Sequence, residues 1–140
     1  MTRKVLVVAG SREGVSAAKV AAEIKDWMEV NGRPDEIIHG ACRGVDQHAA
    51  AFAEAYGIPC RAFPADWRKD GKGAGPRRNA RMAQEATHAL VIHTGSRGSK
   101  DMVRQAVRAR IDVDEREVIA DECSWASTAD VARVGRWWSR

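Results

Sequence analysis

Short, uninterrupted apolar runs, each leading through a turn into residues spaced as on a helix, leave this chain few architectures to adopt. Residues 5–9 (Val-Leu-Val-Val-Ala) and 89–92 (Ala-Leu-Val-Ile) are such runs, and the shorter 37–39 (Ile-Ile-His) and 58–63, interrupted by Arg61, read as strands beside them. A strand that is apolar at successive positions is buried on both faces, the habit of parallel sheets. Between the runs, Val20, Ile24, Trp27 and Met28 recur at i, i+4, i+7 and i+8, and Val45, Ala49, Phe52, Ala53 and Tyr56 form a second helical stripe. Asn31-Gly32 and Gly57 read as helix stops. Residues 64–74 read as a polar loop around Gly71-Lys72-Gly73, and Pro76 suits the first turn of a helix running to about residue 86. A further helix is expected over 99–110, and Val118, Ile119 and Ala120 as a final strand. The alternation predicts an α/β fold: a Rossmann-like, doubly wound parallel sheet of about five strands in a single domain. Residues 1–120 make up that domain, and 121–140, with Trp125, Trp137 and Trp138, are expected to pack on it or to form a subunit contact.

Composition narrows the class. The 140 residues, 44% hydrophobic and 30% charged, suffice for one core and not two. The basic start Arg3-Lys4 precedes only about five apolar residues, shorter than a signal peptide requires, and no run approaches the roughly 18 residues of a membrane span. Cys42, Cys60 and Cys123 are odd in number and lack metal-ligand spacing, so the expectation is a reducing, cytoplasmic setting with no metal and no membrane partner. A formal charge of +4 suits a polyanionic partner; Arg104 and Arg108 read as solvated helix positions.

Parallel α/β sheets bind ligands beyond the carboxyl ends of their strands. That rule gathers Gly10, Ser11 and Arg12 after the first strand and Gly40, Arg43, Gly44 and Asp46 after the second. Asp66 and Trp67 follow the third, and Gly95, Ser96, Arg97, Gly98, Ser99 and Asp101 the fourth. Helix N-termini with unpaired amides and glycines that admit a ligand to the backbone favour phosphate. Arg78 can neutralise it with a two-pronged donor set, and Asn79 stands beside it. Asp46 fits either a ribose contact or an acid favoured at a helix start. Trp67 fits a base-stacking contact or, by the usual habit of aromatics, a loop anchor. Cys42 reads as a small buried thiol, and among the histidines only His93, at a strand end, is a candidate ligand contact.

The strings His-Gly-Ala-Cys-Arg-Gly-Val-Asp (39–46), Gly-Ser-Arg (10–12), Pro-Ala-Asp-Trp (64–67), Gly-Pro-Arg-Arg-Asn (75–79) and Gly-Ser-Arg-Gly-Ser-Lys-Asp-Met (95–102) together resemble the YspA-like branch of the SLOG superfamily, over roughly residues 4–110. The resemblance implies a Rossmann-like sheet, nucleotide-derived ligands and a homodimer. It also brings in two relatives, the LOG phosphoribohydrolases and the single-strand-binding DNA-processing protein A. Against the hydrolases' Pro-Gly-Gly-x-Gly-Thr-x-x-Glu loop, residues 94–102 keep Gly95, Gly98 and Ser99 but place Met102 where the catalytic glutamate stands, leaving Asp101 as the nearest acid. Arg78 matches the family's catalytic arginine.

The first function expected is therefore binding or sensing of a nucleotide-derived, phosphate-bearing small molecule, with no cofactor. The alternatives are a nucleosidase using Arg78 with Asp101 or Asp46, and a module for single-stranded nucleic acid of the DNA-processing kind.

Overall fold

The computed structural model describes residues 3–120. Its strands, β1 (Val5–Gly10), β2 (Glu36–His39), β3 (Cys60–Ala62), β4 (His88–His93) and β5 (Asp112–Glu117), form one parallel sheet ordered β3-β2-β1-β4-β5. The helices are α1 (Ala17–Asn31), α2 (Val45–Ala55), the single turn α3 (Trp67–Asp70), α4 (Ala74–Glu85) and α5 (Arg97–Arg108).

Alternation along the strands sorts the core into two layers. Leu6 and Val8 of β1, with Leu90 and Ile92 of β4, pack with Val20, Ile24 and Trp27 of α1 and Val45, Ala49 and Phe52 of α2. Val5, Val7 and Ala9, with Ala89 and Val91, pack with Met82 and Ala83 of α4 and Met102 and Ala106 of α5. Both faces of the central strands β1, β2 and β4 are thus covered, whereas the edge strand β3, expected to be buried, is exposed along its three residues.

From β1 the chain winds outward through β2 to β3, then crosses back over the sheet to β4 and winds the other way to β5. Neighbouring strands β1 and β4 therefore send their following loops in opposite directions, and the crevice between those loops is the switch point of the sheet. Register brings Gly10 beside Ile92, so both loops start at the same level.

Local chemistry fixes the element ends. Ser16 caps α1 by accepting the Lys19 amide at 3.1 Å, and Gly32, at φ 84°, closes it by donating to the Met28 carbonyl. Three boundaries differ from the sequence expectation. The stretch 64–74 is not all loop: Asp66 accepts the Lys69 amide at 3.0 Å and starts α3, and a 3-10 turn over Gly71–Gly73 leads into α4. Helix α5 begins at Arg97, with Ser96 rather than a later residue at its cap position.

The last strand is the charged stretch Asp112–Glu117, not 118–120, because an edge strand needs no apolar run and is protected by charge. Val118 continues it by one bond, its amide donating to the His93 carbonyl at 2.8 Å. The expected terminal segment 121–140 lies outside the described residues. Among the described residues no helix is long and apolar enough to cross a membrane.

Candidate functional site

Ser11 ties three loops together at the switch point. Its amide donates to the Ile92 carbonyl at 3.2 Å, its carbonyl accepts from the Val45 amide at 3.1 Å, and its Oγ accepts from the Thr94 amide at 2.9 Å. The loops after β1, β2 and β4 are thereby locked to one another. Gly44 makes the crossing possible: at φ 81°, a Cβ there would lie 2.4 Å from the carbonyl oxygens of both Ser11 and Arg12. The strand-end histidines brace the same loops, since His39 Nδ1 accepts from the Ala41 amide at 3.0 Å and His93 Nδ1 from the Gly95 amide at 2.9 Å. Burial pulls the His39 pKa down and keeps its ring neutral for this task. His93 is fully buried and its Nε2 meets Glu115 at 2.8 Å, so both ring nitrogens are engaged and the histidine supports the loop instead of reaching a ligand.

Beyond the locked loops opens a cavity of about 690 Å³, a size suited to a small-molecule ligand. The start of α5 supplies one wall. Its first-turn amides have no partners within the helix, and the hydroxyls of Ser96 and Ser99 meet at 2.6 Å beside them. A Cβ on Gly98 would find nothing within 4 Å, so the backbone there is open to an approaching group. Arg12, Arg43, Arg78, Arg97 and Arg104 line the cavity against Glu13, Asp46 and Asp101, five cations to three carboxyl groups. Two of the cations are already engaged, Arg43 with Glu13 at 2.8 Å and Arg104 with Asp101 at 3.0 Å. Arg12 and Arg97 are exposed at the mouth.

Arg78 forms the floor. Only 7% exposed, it donates from Nη1 to the Gly40 and Phe63 carbonyls and from Nε to Asn79 Oδ1 at 2.9 Å, while both terminal nitrogens lie 3.8 Å from Cys42 Sγ. Half-buried Cys42 is therefore a wall residue resting on the guanidinium. Gly40 leaves room for this arrangement, because a Cβ would sit 2.5 Å from Arg78 Nη1 and 2.9 Å from Asp46 Oδ2. Asn79 Nδ2 in turn donates to Asp101 Oδ2 at 2.9 Å, which links α4 to α5.

The two candidate acids differ in what they can do. Both oxygens of Asp101 accept hydrogen bonds, from Asn79 and Arg104. Asp46 is almost fully buried, and burial raises its pKa to about 6 although the amides of Gly40 and Cys42 and the charges of Arg78 and Arg12 pull the other way. Of the two, Asp46 is the one positioned to exchange a proton near neutrality. Because its native pKa is raised, the folded state holds the proton between pH 3.8 and about 6 where the unfolded chain has released it.

Stability from this group therefore grows as pH falls through that window, by about 3 kcal/mol in all. Urea unfolding of the native protein and of Asp46→Asn at pH 7.5 and 4.5 checks this. The native protein is expected to gain stability relative to the variant at the lower pH, and a constant difference would contradict it.

The expected site residues sort into two groups. Gly10, Ser11, Arg12, Arg43, Asp46, Trp67, Arg78, Asn79, Ser96, Arg97, Gly98, Ser99 and Asp101 share the cavity wall. Gly40, Gly44, Asp66 and Gly95 are not among the described lining residues and act one layer back, in the turns and the α3 cap. Trp67, 54% exposed, is neither core nor a covered loop anchor. Sequence reasoning missed Glu13, Thr94, Met82 and Arg104. Arg104 had a signal: with Arg97 and Asp101 it recurs at i, i+4 and i+7, one face of α5. Among the described residues no three His, Cys, Asp or Glu side chains group as metal ligands.

The fold and its loop cluster define a Rossmann-like α/β domain with a cavity at the sheet's switch point. Over residues 4–69 the chain matches the YspA, cpYpsA-related SLOG family, which bears out the resemblance carried by the strings at 10–12, 39–46 and 64–67; those at 75–79 and 95–102 lie outside the match. Two solved structures share the fold. DNA processing protein A from Streptococcus pneumoniae matches with TM-score 0.66 and 18% identity over 95% of this chain and 54% of its own. The Moco Carrier Protein from Chlamydomonas reinhardtii matches with TM-score 0.53 and 14% identity over 82% of this chain and 76% of its own. This chain thus spans about half of the DNA processing protein. None of the curated proteins matches by sequence.

Proposed function

We propose that this protein binds a nucleotide-derived, phosphate-bearing small molecule in the crevice between the β1 and β4 loops. The observation that carries the reading is the convergence, on one cavity, of the open first turn of α5, the Ser96 and Ser99 hydroxyls, and the guanidinium groups of Arg12, Arg78 and Arg97. A phosphate there would accept from helix amides whose partial positive charge favours it and lie among arginines whose planar guanidinium groups can donate paired hydrogen bonds to its oxygens. Arg12 and Arg97 carry no ion pair among the described contacts, so their charge is available to a ligand. The family match and the fold of the two neighbours are consistent with a site at this edge of the sheet.

Analysis of metabolites released by heat from protein purified directly out of cells tests the reading. A phosphorus-containing, nucleotide-derived compound is expected with the native protein, and a several-fold lower amount with Arg97→Glu, which reverses an exposed charge without touching the core. A compound lacking phosphate, or equal amounts from the two proteins, contradicts it.

A further inference from the structure

Five large apolar side chains are exposed among the described residues: Val30, Tyr56, Trp67, Val107 and Ile119. Of these only Trp67 lines the cavity. An indole left in water at the rim of a polar crevice forgoes the burial that its size would otherwise gain, so what it faces there matters.

The backbone holds Trp67 firmly in that place. Asp66 caps the turn in front of it by accepting the Lys69 amide, and Gly71 closes the turn by donating its amide to the Trp67 carbonyl. The ring's Cη2 lies 3.6 Å from where a Cβ on Gly75 would be, so the far edge of the indole rests over the side-chain-free start of α4. Pro76 and Met82 of α4 continue the apolar wall from there, followed by Arg78 and Asn79. The α5 N-terminus, with Ser96, Gly98 and Ser99, lines the same cavity. One cavity therefore has an aromatic and apolar stretch around Trp67, Gly75 and Pro76 and an anion-attracting stretch at the start of α5.

We infer that Trp67 is the platform on which a nucleobase stacks, and that the occupant is a nucleoside phosphate whose base lies on the indole while its phosphate meets α5. The inference rests on the phosphate reading above and adds the chemistry of the ligand's other end. Stacking tolerates any base, because each has a π-face, so Trp67 selects for the presence of a base more than for its identity.

Calorimetric titration of native protein, Trp67→Ala and Trp67→Phe with ADP and with inorganic pyrophosphate separates the two ends. Truncating a stacking aromatic removes about 10- to 100-fold in affinity for a base-bearing ligand. That loss is expected for ADP with Trp67→Ala, with pyrophosphate affinity changed less than about twofold. Trp67→Phe should restore most of the ADP binding, since it keeps a stacking face. Being exposed, the position tolerates both changes without loss of fold, which circular dichroism verifies. Unchanged ADP affinity in Trp67→Ala, an equal loss for both probes, or no recovery in Trp67→Phe overturns the inference and leaves the phosphate reading standing. Native protein that binds neither probe overturns both.

Discussion

Gly10→Ala is expected to remove much of the protein's stability. A Cβ at this position would sit 1.9 Å from the Ile92 carbonyl oxygen and 2.7 Å from Val45 Cγ2. Neither neighbour can move away. Ile92 belongs to β4, paired with β1 at this point, and its carbonyl also accepts the Ser11 amide; Val45 is a fully buried core residue at the start of α2. A single methyl group would therefore push apart β1, β4 and α2 at once. Overpacking of this kind against backbone costs more than about 4 kcal/mol, comparable to much of the stability a small domain has.

Gly98→Ala serves as the contrast. Nothing lies within 4 Å of its Cβ and it stands in the first turn of α5 with no left-handed backbone, so the change is expected to be neutral or to stabilise by up to about 1 kcal/mol. Urea unfolding of the two variants checks the pair. A Gly10→Ala protein within about 1 kcal/mol of the native one would contradict the packing described for the switch point.

The second large effect is expected from Arg78→Met, which keeps most of the side-chain volume and removes the guanidinium. The Gly40 and Phe63 carbonyls and Asn79 Oδ1 then lose a buried donor, and Asp46 loses the one of its two cations that lowers its pKa more. Removing one member of a buried charged network leaves the rest without compensation, at about 3–5 kcal/mol. The loss falls on the loop after β2, since Arg78 and Asp46 grip Gly40 from its carbonyl and amide sides respectively.

Arg78→Lys should recover only a small part, because an ammonium group cannot serve three acceptors in the guanidinium's plane. Chemical denaturation read together with proteolysis of the loop over 40–44 is the appropriate check. A loss below about 1 kcal/mol, with the loop as resistant as in the native protein, would show that Arg78 is free to serve a ligand alone.

That structural role of Arg78 was only half legible in the sequence. The apolar runs mark the buried strands, and the switch-point rule gathers most of the wall residues from sequence alone. What the pattern could not carry was direction. Arg12, Arg43, Arg78 and Arg97 look alike as basic residues in loops or first turns, yet one is bound to Glu13, one is buried beneath the cavity, and two reach its mouth. Gly10 and Gly98 look alike too, although the first is demanded by packing and the second faces open space. His93 was a candidate contact because it stands at a strand end, but its partner Glu115 lies on β5, a strand whose charged sequence hides it from any hydrophobic pattern. Trp67 went against the general habit of its residue type, and departures of that kind point to function more often than to folding.

A map of amide chemical-shift changes as ADP is added to uniformly nitrogen-15-labelled protein tests the central claim most directly. The largest changes are expected at Ser11, Arg12, Gly98 and Ser99, the amides around the crevice between the β1 and β4 loops. Changes centred instead on the far helices near Val30 and Tyr56, or none at millimolar ligand, would contradict a phosphate-binding site at the switch point of the sheet.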